Sequence, residues 1–300
     1  MQTTPNATTL TEQTQRSRGE VLWRALRRFV SQNPLGAAGA LVLILMILMA
    51  IAAPLITPWP EHKGDFTHMS GEPNADHFFG TDQQGRDIFS RIIFGTRTTL
   101  TVAIVAVLFG TTGGALIGVV SAYAGGKVDL ILQRFLEILQ AFPDVILALL
   151  LLSALDPSLW TVVLAISVTR LPFGGRVIRS VALQIREMEY VTSARAIGAK
   201  DFRIMFRHVA PQCVAPYLIL ATAHLGVAIL IESGLGFLGA GVPPPTATWG
   251  NMLAFANFSS FKPLWWMAFY PGLAITVTVL AFNLFGDSLR DVLDPRLRNR

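Results

Sequence analysis

Charged residues are scarce in this chain. Asp, Glu, Lys and Arg make up 14% of its 300 residues, against 52% hydrophobic residues, whereas soluble domains carry about 25% charged residues. The apolar residues come in long uncharged runs, and the mean hydropathy is +0.51. These properties exclude a soluble globule and predict a membrane protein with several spans. The net charge of +5 indicates orientation rather than nucleic-acid binding, because the cytoplasmic loops of membrane proteins are rich in Lys and Arg.

Cysteine and the common catalytic motifs are nearly absent as well. Cys213 is the single cysteine, which excludes an internal disulfide and a cysteine-rich metal cluster. The sequence contains no Gly-x-x-x-x-Gly-Lys-Ser/Thr, no His-Glu-x-x-His and no Gly-x-Ser-x-Gly, the motifs of P-loop hydrolases, zinc peptidases and α/β-hydrolases. We therefore predict that the chain is not itself an enzyme.

The N-terminal segment holds no signal peptide. Met1–Ser31 is polar, with five arginines and no apolar core, so we expect the first span to be an uncleaved anchor. Residues 1–15 have a composition typical of disorder. Residues 20–30 are compatible with a solvated basic flank or with an interfacial amphipathic helix.

Six apolar runs are long enough to span a membrane. The first has 22 residues without a charge, enough to cross about 30 Å at about 1.5 Å per residue. The predicted spans are 35–56, 98–124, 130–155, 157–179, 214–231 and 263–286. In the second span, Gly114 and Gly118 form a small-xxx-small face that favours close helix packing.

The polar connection between the first two spans carries a distinct motif. Its acidic residues do not have calcium-loop spacing, so a metal site is disfavoured. We predict a turn around Gly80 to Gly85 and then an interfacial helix with one apolar side, made of Ile88, Phe89, Ile92 and Ile93.

Several ionisable residues fall inside predicted spans, where charge is costly. The third span carries Asp144 beside Pro143, and begins either as a cytoplasmic helix that enters the membrane near Phe142 or as a pore-facing segment. Arg170, in the fourth span, is expected at the cytoplasmic surface or in a wet cavity. In the fifth span, His224 is read as a hydrogen-bonded packing residue, and Glu232 lies at the end. Whether Arg170, His224 and Glu232 face a substrate is left open.

A polar island, Glu189–Pro211, separates the fourth and fifth spans. Its pattern predicts a short helix over Glu189–Ala196, a break at Gly198 and a second amphipathic helix that ends near Pro211. The second helix is predicted to place one set of residues on a single face: Phe202, Met205, Phe206 and Val209. Two short helices around a glycine make a compact protrusion that a soluble partner could bind.

This island resembles the cytoplasmic EAA loop of ABC-importer permeases. The family pattern is Glu, an Ala pair, Gly, an apolar residue and Pro. It is filled here by Glu189, Ala194, Gly198, Ile204 and Pro211. Ser193 departs from the pattern at the first Ala, a small residue for a small one.

Three further phrases resemble the dipeptide, oligopeptide and nickel branch of these permeases. They are Gly-Thr-Asp-x-x-Gly-Arg-Asp at 80–87, the Gly- and Pro-rich segment 233–250, and the tail 283–298. The resemblance implies an all-α polytopic membrane protein with six transmembrane helices and the ABC type I importer permease fold. The implied division is a cytoplasmic segment 1–34, a first transmembrane helix 35–57, an extracytoplasmic loop with an interfacial helix 58–97, a permease core 98–287 and a cytoplasmic tail 288–300.

The resemblance also implies a function in ATP-driven import of dipeptides or related small peptides. The expected partners are a second homologous permease, two ABC ATPase subunits that bind ATP and Mg²⁺, and a periplasmic or lipid-anchored binding protein. No cofactor is expected in this chain, and no nucleic acid. Nickel complexes or opine-like solutes are alternative substrates. An ion-coupled secondary transporter is the competing class, but it should show internal repeats and paired intramembrane charges, and neither is visible.

In this family the loop binds the ATPase. Glu189, Ala194 and Gly198 would shape it, and Ala199 and Pro211 belong to the same loop. Its cations are either polar contacts to the ATPase or positive-inside charge alone: Arg195, Lys200, Arg203 and Arg207.

The distribution of basic residues predicts the orientation. With both termini in the cytoplasm of a bacterial inner membrane, the cytoplasmic side carries 18 lysines and arginines and the opposite side five, with Arg170 unassigned. This asymmetry is typical of the positive-inside rule.

Cysteine labelling checks this orientation. In a Cys213→Ser background, single cysteines that replace Thr67 or Ser259 should react with an impermeant thiol reagent outside intact cells, whereas one that replaces Lys200 should not. Labelling at position 200 without labelling at positions 67 and 259 would show that the topology is the reverse of the predicted one.

Overall fold

A computed structural model describes Trp23, Arg27, residues 29–257 and residues 264–293. The expectations for residues 1–15, for most of residues 20–30 and for residues 294–300 lie outside these ranges. Within them the backbone is almost entirely helical, and the extended contacts are two isolated bridges. The helices are α1 Pro34–Ile56, α2 Ile88–Ala124, α3 Gly126–Gln140, α4 Asp144–Ser153, α5 Leu159–Arg186, α6 Glu189–Ala196, α7 Asp201–Ile204, α8 Val214–Phe237, α9 Trp249–Asn257 and α10 Trp265–Leu293.

The helix lengths confirm a polytopic all-α protein. Five helical segments in the described ranges are long and apolar enough to cross a membrane: α1, α2, α5, the continuous segment Asp201–Phe237, and α10. A sixth span results when α3 and α4 are taken as one span bent by 90°.

The bend between α3 and α4 separates two chemically different helices. Pro143 directly precedes α4, and the amphipathic α3 exposes Ile131 and Ile138. Leu136 is the fully buried residue of α3 and packs against Gly175 of α5. This geometry favours a separate amphipathic helix that leads into the span over a continuous pore-facing start.

Helix α2 is longer than the sequence analysis predicts. The expected interfacial helix and the second span form a single helix of 37 residues, from Ile88 to Ala124. Asp87 caps its first turn by accepting the Ser90 N–H at 2.7 Å. Ile88 and Ile93 are buried against protein, and no proline interrupts residues 88–124. The separate interfacial helix is therefore wrong.

The segment before α2 folds onto the bundle. Gly80 and Gly85 have φ angles of +76° and +71°, which confirms the predicted turn. The Arg86 Nε donates to the buried Asp82 carboxylate at 2.7 Å, and the indole N–H of Trp266 donates to the carbonyl of Thr81 at 3.3 Å. The first bond lies within the motif, and the second attaches the motif to α10.

A 3₁₀ turn, Phe66–His68, lies in the same segment and is capped by Asp65. Hydrogen bonds from Thr67 and His68 hold the pKa of the Asp65 carboxyl well below its usual range. The cap therefore stays ionised at neutral pH.

The contact between α2 and α5 is the closest helix contact of the bundle. A Cβ on Gly110 would lie 2.4 Å from the Ser167 carbonyl oxygen, and one on Gly114 would lie 2.2 Å from that of Leu171. A Cβ on Gly118 would likewise lie 2.4 Å from the carbonyl oxygen of Gly175 in α5. The backbones touch because no side chain stands between them, which confirms the predicted packing face and extends it to Gly110.

Helix α1 packs on the outside of the bundle. Gly36 and Gly39 allow it to approach α10 closely, since a Cβ on Gly39 would lie 2.7 Å from the carbonyl oxygen of Ala281. Its other side exposes long apolar side chains, with Leu55 88% exposed and Ile51 72% exposed. In a bilayer these side chains face lipid.

Gly114→Ala should destabilise the chain by about 1–3 kcal/mol, because the added methyl must push α2 from the α5 backbone. Gly272→Ala in α10 is the matched control, since nothing lies within 4 Å of its Cβ position. Thermal unfolding in detergent should place the Gly114→Ala midpoint below wild type and the Gly272→Ala midpoint at or above it. Equal midpoints for the two variants would contradict the backbone contact.

Candidate functional site

The Glu189–Pro211 loop begins as the sequence predicts. Helix α6 spans Glu189–Ala196, and Gly198 follows with φ +85°. The Ala199 N–H donates to the carbonyl oxygen of Ala194 at 3.1 Å and closes the turn. Nothing lies within 4 Å of a Cβ built on Gly198. The position therefore requires glycine for its backbone angle and not for space.

The second half of the loop differs from the prediction at Pro211. Helix α7 is followed by a π-type turn, Met205–Val209, then by a 3₁₀ turn, Ala210–Cys213, and then directly by α8. Pro211 therefore does not end the helix. The two irregular turns change the hydrogen-bond register around the proline, so that its missing N–H is accommodated.

The predicted apolar face of the second helix is also wrong. Phe202 and Phe206 are 71% and 48% exposed, with ring centroids 4.5 Å apart, whereas Ile204 and Val209 are buried. The π-type turn explains the difference, because i→i+5 hydrogen bonding brings residues five apart onto one face.

Buried apolar residues hold the loop against the bundle. Val191 and Ala194 of α6 lie in one cluster with Ile204 and Val209. The cluster is completed by residues of α2 and α5: Val119, Ala122, Ile178, Ala182 and Ile185. The base of the loop is thus part of the core, and Ala194 has a structural place there.

The other predicted loop residues lie at or near the surface. Ala199 is half-buried, and the rest are exposed: Glu189, Arg195, Gly198, Lys200, Arg203, Arg207 and Pro211. Three apolar side chains of the loop are exposed as well, namely Ile197, Phe202 and Phe206, which we call the apolar patch. Ile197 is 86% exposed. The sequence analysis missed Ile197, although an apolar residue directly before the glycine of a polar island was a usable signal.

A cavity of about 670 Å³ lies at the opposite end of α5. It is bounded by the end of α4, the segment after α8, and α9, and its lining is mostly apolar. Lining residues include Leu149, Leu152, Val242, Pro244, Asn251 and Phe255. The cavity was not predicted from the sequence, although the glycine- and proline-rich segment 233–250, which forms part of its wall, was a usable signal.

Arg170 does not lie at the surface, which was one of its two expected positions. Its side chain is buried, forms an ion pair with Asp144 and lies 5.1 Å from the ring centroid of Phe173. The bend before α4 brings Asp144 to this position. The charge is therefore neutralised within the protein and does not lie at the surface.

His224 and Glu232 are buried in α8. His224 Nδ1 lies 2.8 Å from the Thr111 hydroxyl, which supports a hydrogen-bonded packing role. The Thr99 hydroxyl donates to Glu232 at 3.2 Å and accepts from the Trp249 N–H at 3.5 Å. Glu232 therefore belongs to the contact between α2, α8 and the start of α9. Neither residue lines the cavity, and the described ranges contain no group of three potential metal ligands.

Comparisons with known proteins assign the family. Residues 114–299 match the binding-protein-dependent transport system inner membrane component, and residues 21–75 match the N-terminal TM domain of oligopeptide transport permease C. The chain belongs to the family of binding-protein-dependent transport system inner membrane components, the permease subunits of ABC importers.

Curated relatives match over most of their length. The dipeptide transport system permease protein DppC of Alkalihalophilus pseudofirmus is 38% identical over 278 residues, 92% of this chain and 91% of the relative. The probable D,D-dipeptide transport system permease protein of Escherichia coli is 37% identical over 264 residues, 88% of each chain. The glutathione transport system permease protein of Pectobacterium atrosepticum is 38% identical over 279 residues, 92% of each chain.

The fold is also similar to a solved permease. A chain of the inward-facing MetNI methionine ABC transporter aligns with a TM-score of 0.59 and 18% identity, covering 69% of this chain and 98% of that chain. At this identity the likeness shows the fold alone, and it confirms the ABC importer permease fold.

Asp144→Ala should be strongly destabilising, because it leaves Arg170 buried without its partner, at a cost of about 3–5 kcal/mol. Glu137→Ala is the control: it removes the exposed Arg134–Glu137 pair, whose side chains are 71% and 43% exposed, and should cost about 0–1 kcal/mol. The destabilisation of each variant is measured from its yield of monodisperse protein and its thermal unfolding midpoint in detergent. A loss in Asp144→Ala no larger than that in Glu137→Ala would show that Arg170 does not need the pair.

Proposed function

We propose that this chain is one of two permease subunits that form the translocation pathway of an ATP-driven importer for dipeptides or related small peptides. Family membership supports the transport role. The names of the relatives support the substrate class, since dipeptides, D,D-dipeptides and glutathione are all short peptides. Separate ATPase subunits would bind ATP and Mg²⁺, and a binding protein would deliver the peptide.

The observation that carries this proposal is the construction of the Glu189–Pro211 loop. Its base is buried between α2 and α5, while its tip exposes Ile197, Phe202 and Phe206 among four cationic side chains. An exposed apolar group with a charged rim is typical of a protein–protein contact. We assign the apolar patch as the centre of the ATPase contact, with Arg195 and Lys200 among the cations at its rim.

The loop and the cavity lie at opposite ends of α5. We propose that the loop end is cytoplasmic, with both chain termini on that side, and that the cavity end faces the binding protein. This orientation agrees with the 18-to-five distribution of basic residues. The proposed division keeps segments 1–34, 35–57, 58–97, 98–287 and 288–300, with the correction that residues 88–97 belong to α2 and not to a separate interfacial helix.

The cavity is proposed as the contribution of this chain to the pathway. Its volume of about 670 Å³ is in the range of small-molecule sites, and Asn251 adds a polar group to an apolar lining. The second permease would close the open side.

Two substitutions test whether the loop is the contact with the ATPase. Phe202→Asp should weaken ATPase binding at least tenfold, because truncation of a buried interface anchor costs about 2 kcal/mol or more. Gly198→Val should have a similar effect through about 1–3 kcal/mol of backbone strain. Both variants should still insert, since their apolar spans are unchanged. ATPase co-purification and peptide uptake measure the effect.

Val292→Asp and Gly126→Val are the matched controls. Val292 is 52% exposed near the end of α10, and Gly126 has φ +53° with nothing within 4 Å of its Cβ position. Both controls should bind the ATPase normally. If Phe202→Asp and Gly198→Val also retain full binding and uptake, the loop is not the ATPase contact.

A further inference from the structure

A hydrogen bond from Tyr123 joins the loop to the end of α2, beside an interaction of the same hydroxyl with Arg195 of α6. The Tyr123 hydroxyl donates to Asp201 Oδ1 at 2.7 Å, between residues 78 positions apart in the chain. Tyr123 is the penultimate residue of α2, and Asp201 is the first residue of α7, just after the glycine turn. We infer that Tyr123 and Asp201 are positioning residues that transmit motion of the ATPase-bound loop to α2. This inference rests on the proposed function.

The hydrogen bond supplies a directional contact, which the buried apolar cluster lacks. Apolar burial holds Val191, Ile204 and Val209 against the bundle, but the hydrophobic effect itself is non-directional. A hydroxyl–carboxylate bond of 2.7 Å depends strongly on distance and angle and fixes the loop at one position. The bond therefore adds a directional contact between the loop and α2 to the apolar contact.

The end of α2 is itself tied to its neighbours. Arg186 Nη1, at the end of α5, donates to the carbonyl oxygen of Ala122 at 2.8 Å, one of the last carbonyls of α2 that lack an intrahelical partner. Arg179 of α5 holds Asp129 of α3 through two hydrogen bonds of 2.7 and 2.5 Å. A displacement of Tyr123 therefore acts on the end of α2, the end of α5 and the start of α3 together.

Helix α2 connects this end to the wall of the cavity. Its glycine contact with α5 keeps the two helices in register. Near its other end, the Ile92 carbonyl oxygen accepts the indole N–H of Trp249 at 3.1 Å. Trp249 is the first residue of α9, which supplies Asn251 and Phe255 to the cavity. The contacts thus run without interruption from Asp201 to the candidate pathway.

Tyr123→Phe tests the inference in the complete importer, with the second permease, the ATPases and the binding protein, reconstituted in liposomes with labelled dialanine. ATPase co-purification and the basal rate of ATP hydrolysis should stay at wild-type levels. The number of peptides imported per ATP should fall about fivefold, as expected for loss of a hydrogen bond worth about 1 kcal/mol at 1.4 kcal/mol per tenfold.

Asp201 provides the partner test. Asp201→Ala should lower the ratio by the same factor, and the double variant should fall no further, because both substitutions remove one interaction. Asp201→Asn keeps an acceptor oxygen and should stay within about twofold of wild type. This rescue would not be expected if Asp201 acted only through its charge on the ATPase.

Tyr217→Phe is the matched control. The Tyr217 hydroxyl lies 2.7 Å from that of Thr112, which belongs to the membrane-spanning part of α2 and not to the end that Tyr123 occupies. Loss of this bond should leave the peptide-to-ATP ratio unchanged. Three results would overturn the inference. They are a wild-type peptide-to-ATP ratio in Tyr123→Phe, an equal fall of this ratio in Tyr217→Phe, and additive effects of the Tyr123 and Asp201 substitutions. So would loss of ATPase binding in Tyr123→Phe, which would make Tyr123 part of the docking surface. Failure of the proposed function would be recognised by a different result, because the Phe202→Asp variant would then bind the ATPase normally.

Discussion

The backbone contact between α2 and α5 is the constraint on which the rest of the structure depends. Gly110, Gly114 and Gly118 bring α2 within van der Waals distance of the α5 backbone, a separation that side chains of any size would prevent. In lipid there is no hydrophobic drive between helices, so such close approach supplies much of the association energy. The loop base at one end and α9 at the other are both placed by this pair.

The polar groups of the membrane region follow from the same arrangement. Each of three polar pairs joins α2 or α5 to a neighbouring helix: Arg170 of α5 with Asp144 of α4, and His224 and Glu232 of α8 with Thr111 and Thr99 of α2. Polar side chains in a bilayer need partners within the protein. Each of these pairs therefore fixes the relative height and rotation of two helices, which apolar packing alone specifies weakly.

Local patterns in the sequence predicted the helices and the loop, whereas the contacts between distant residues could not be predicted. The limits of α6 coincide with the prediction because Gly198 marks its end. Gly114 correctly predicted a close contact between two helices. The burial of Ile204 was missed because a π-type turn departs from the 3.6-residue period. The partner of Arg170 lies 26 residues away, and that of Glu232 lies 133 residues away. Neither pairing leaves a periodic signal.

The absence of proline from α2 has a mechanical consequence. Helices α1, α5 and α10 each contain an internal proline, at Pro54, Pro172 and Pro271, and helices bend most readily at such residues. The 37 residues of α2 contain none, so α2 lacks the proline at which these three neighbours bend most readily. Deformation under load should therefore collect in its neighbours. Pro172 lies beside Arg170 and opposite the glycines of α2, so α5 has its internal proline halfway between the Glu189–Pro211 loop and the cavity.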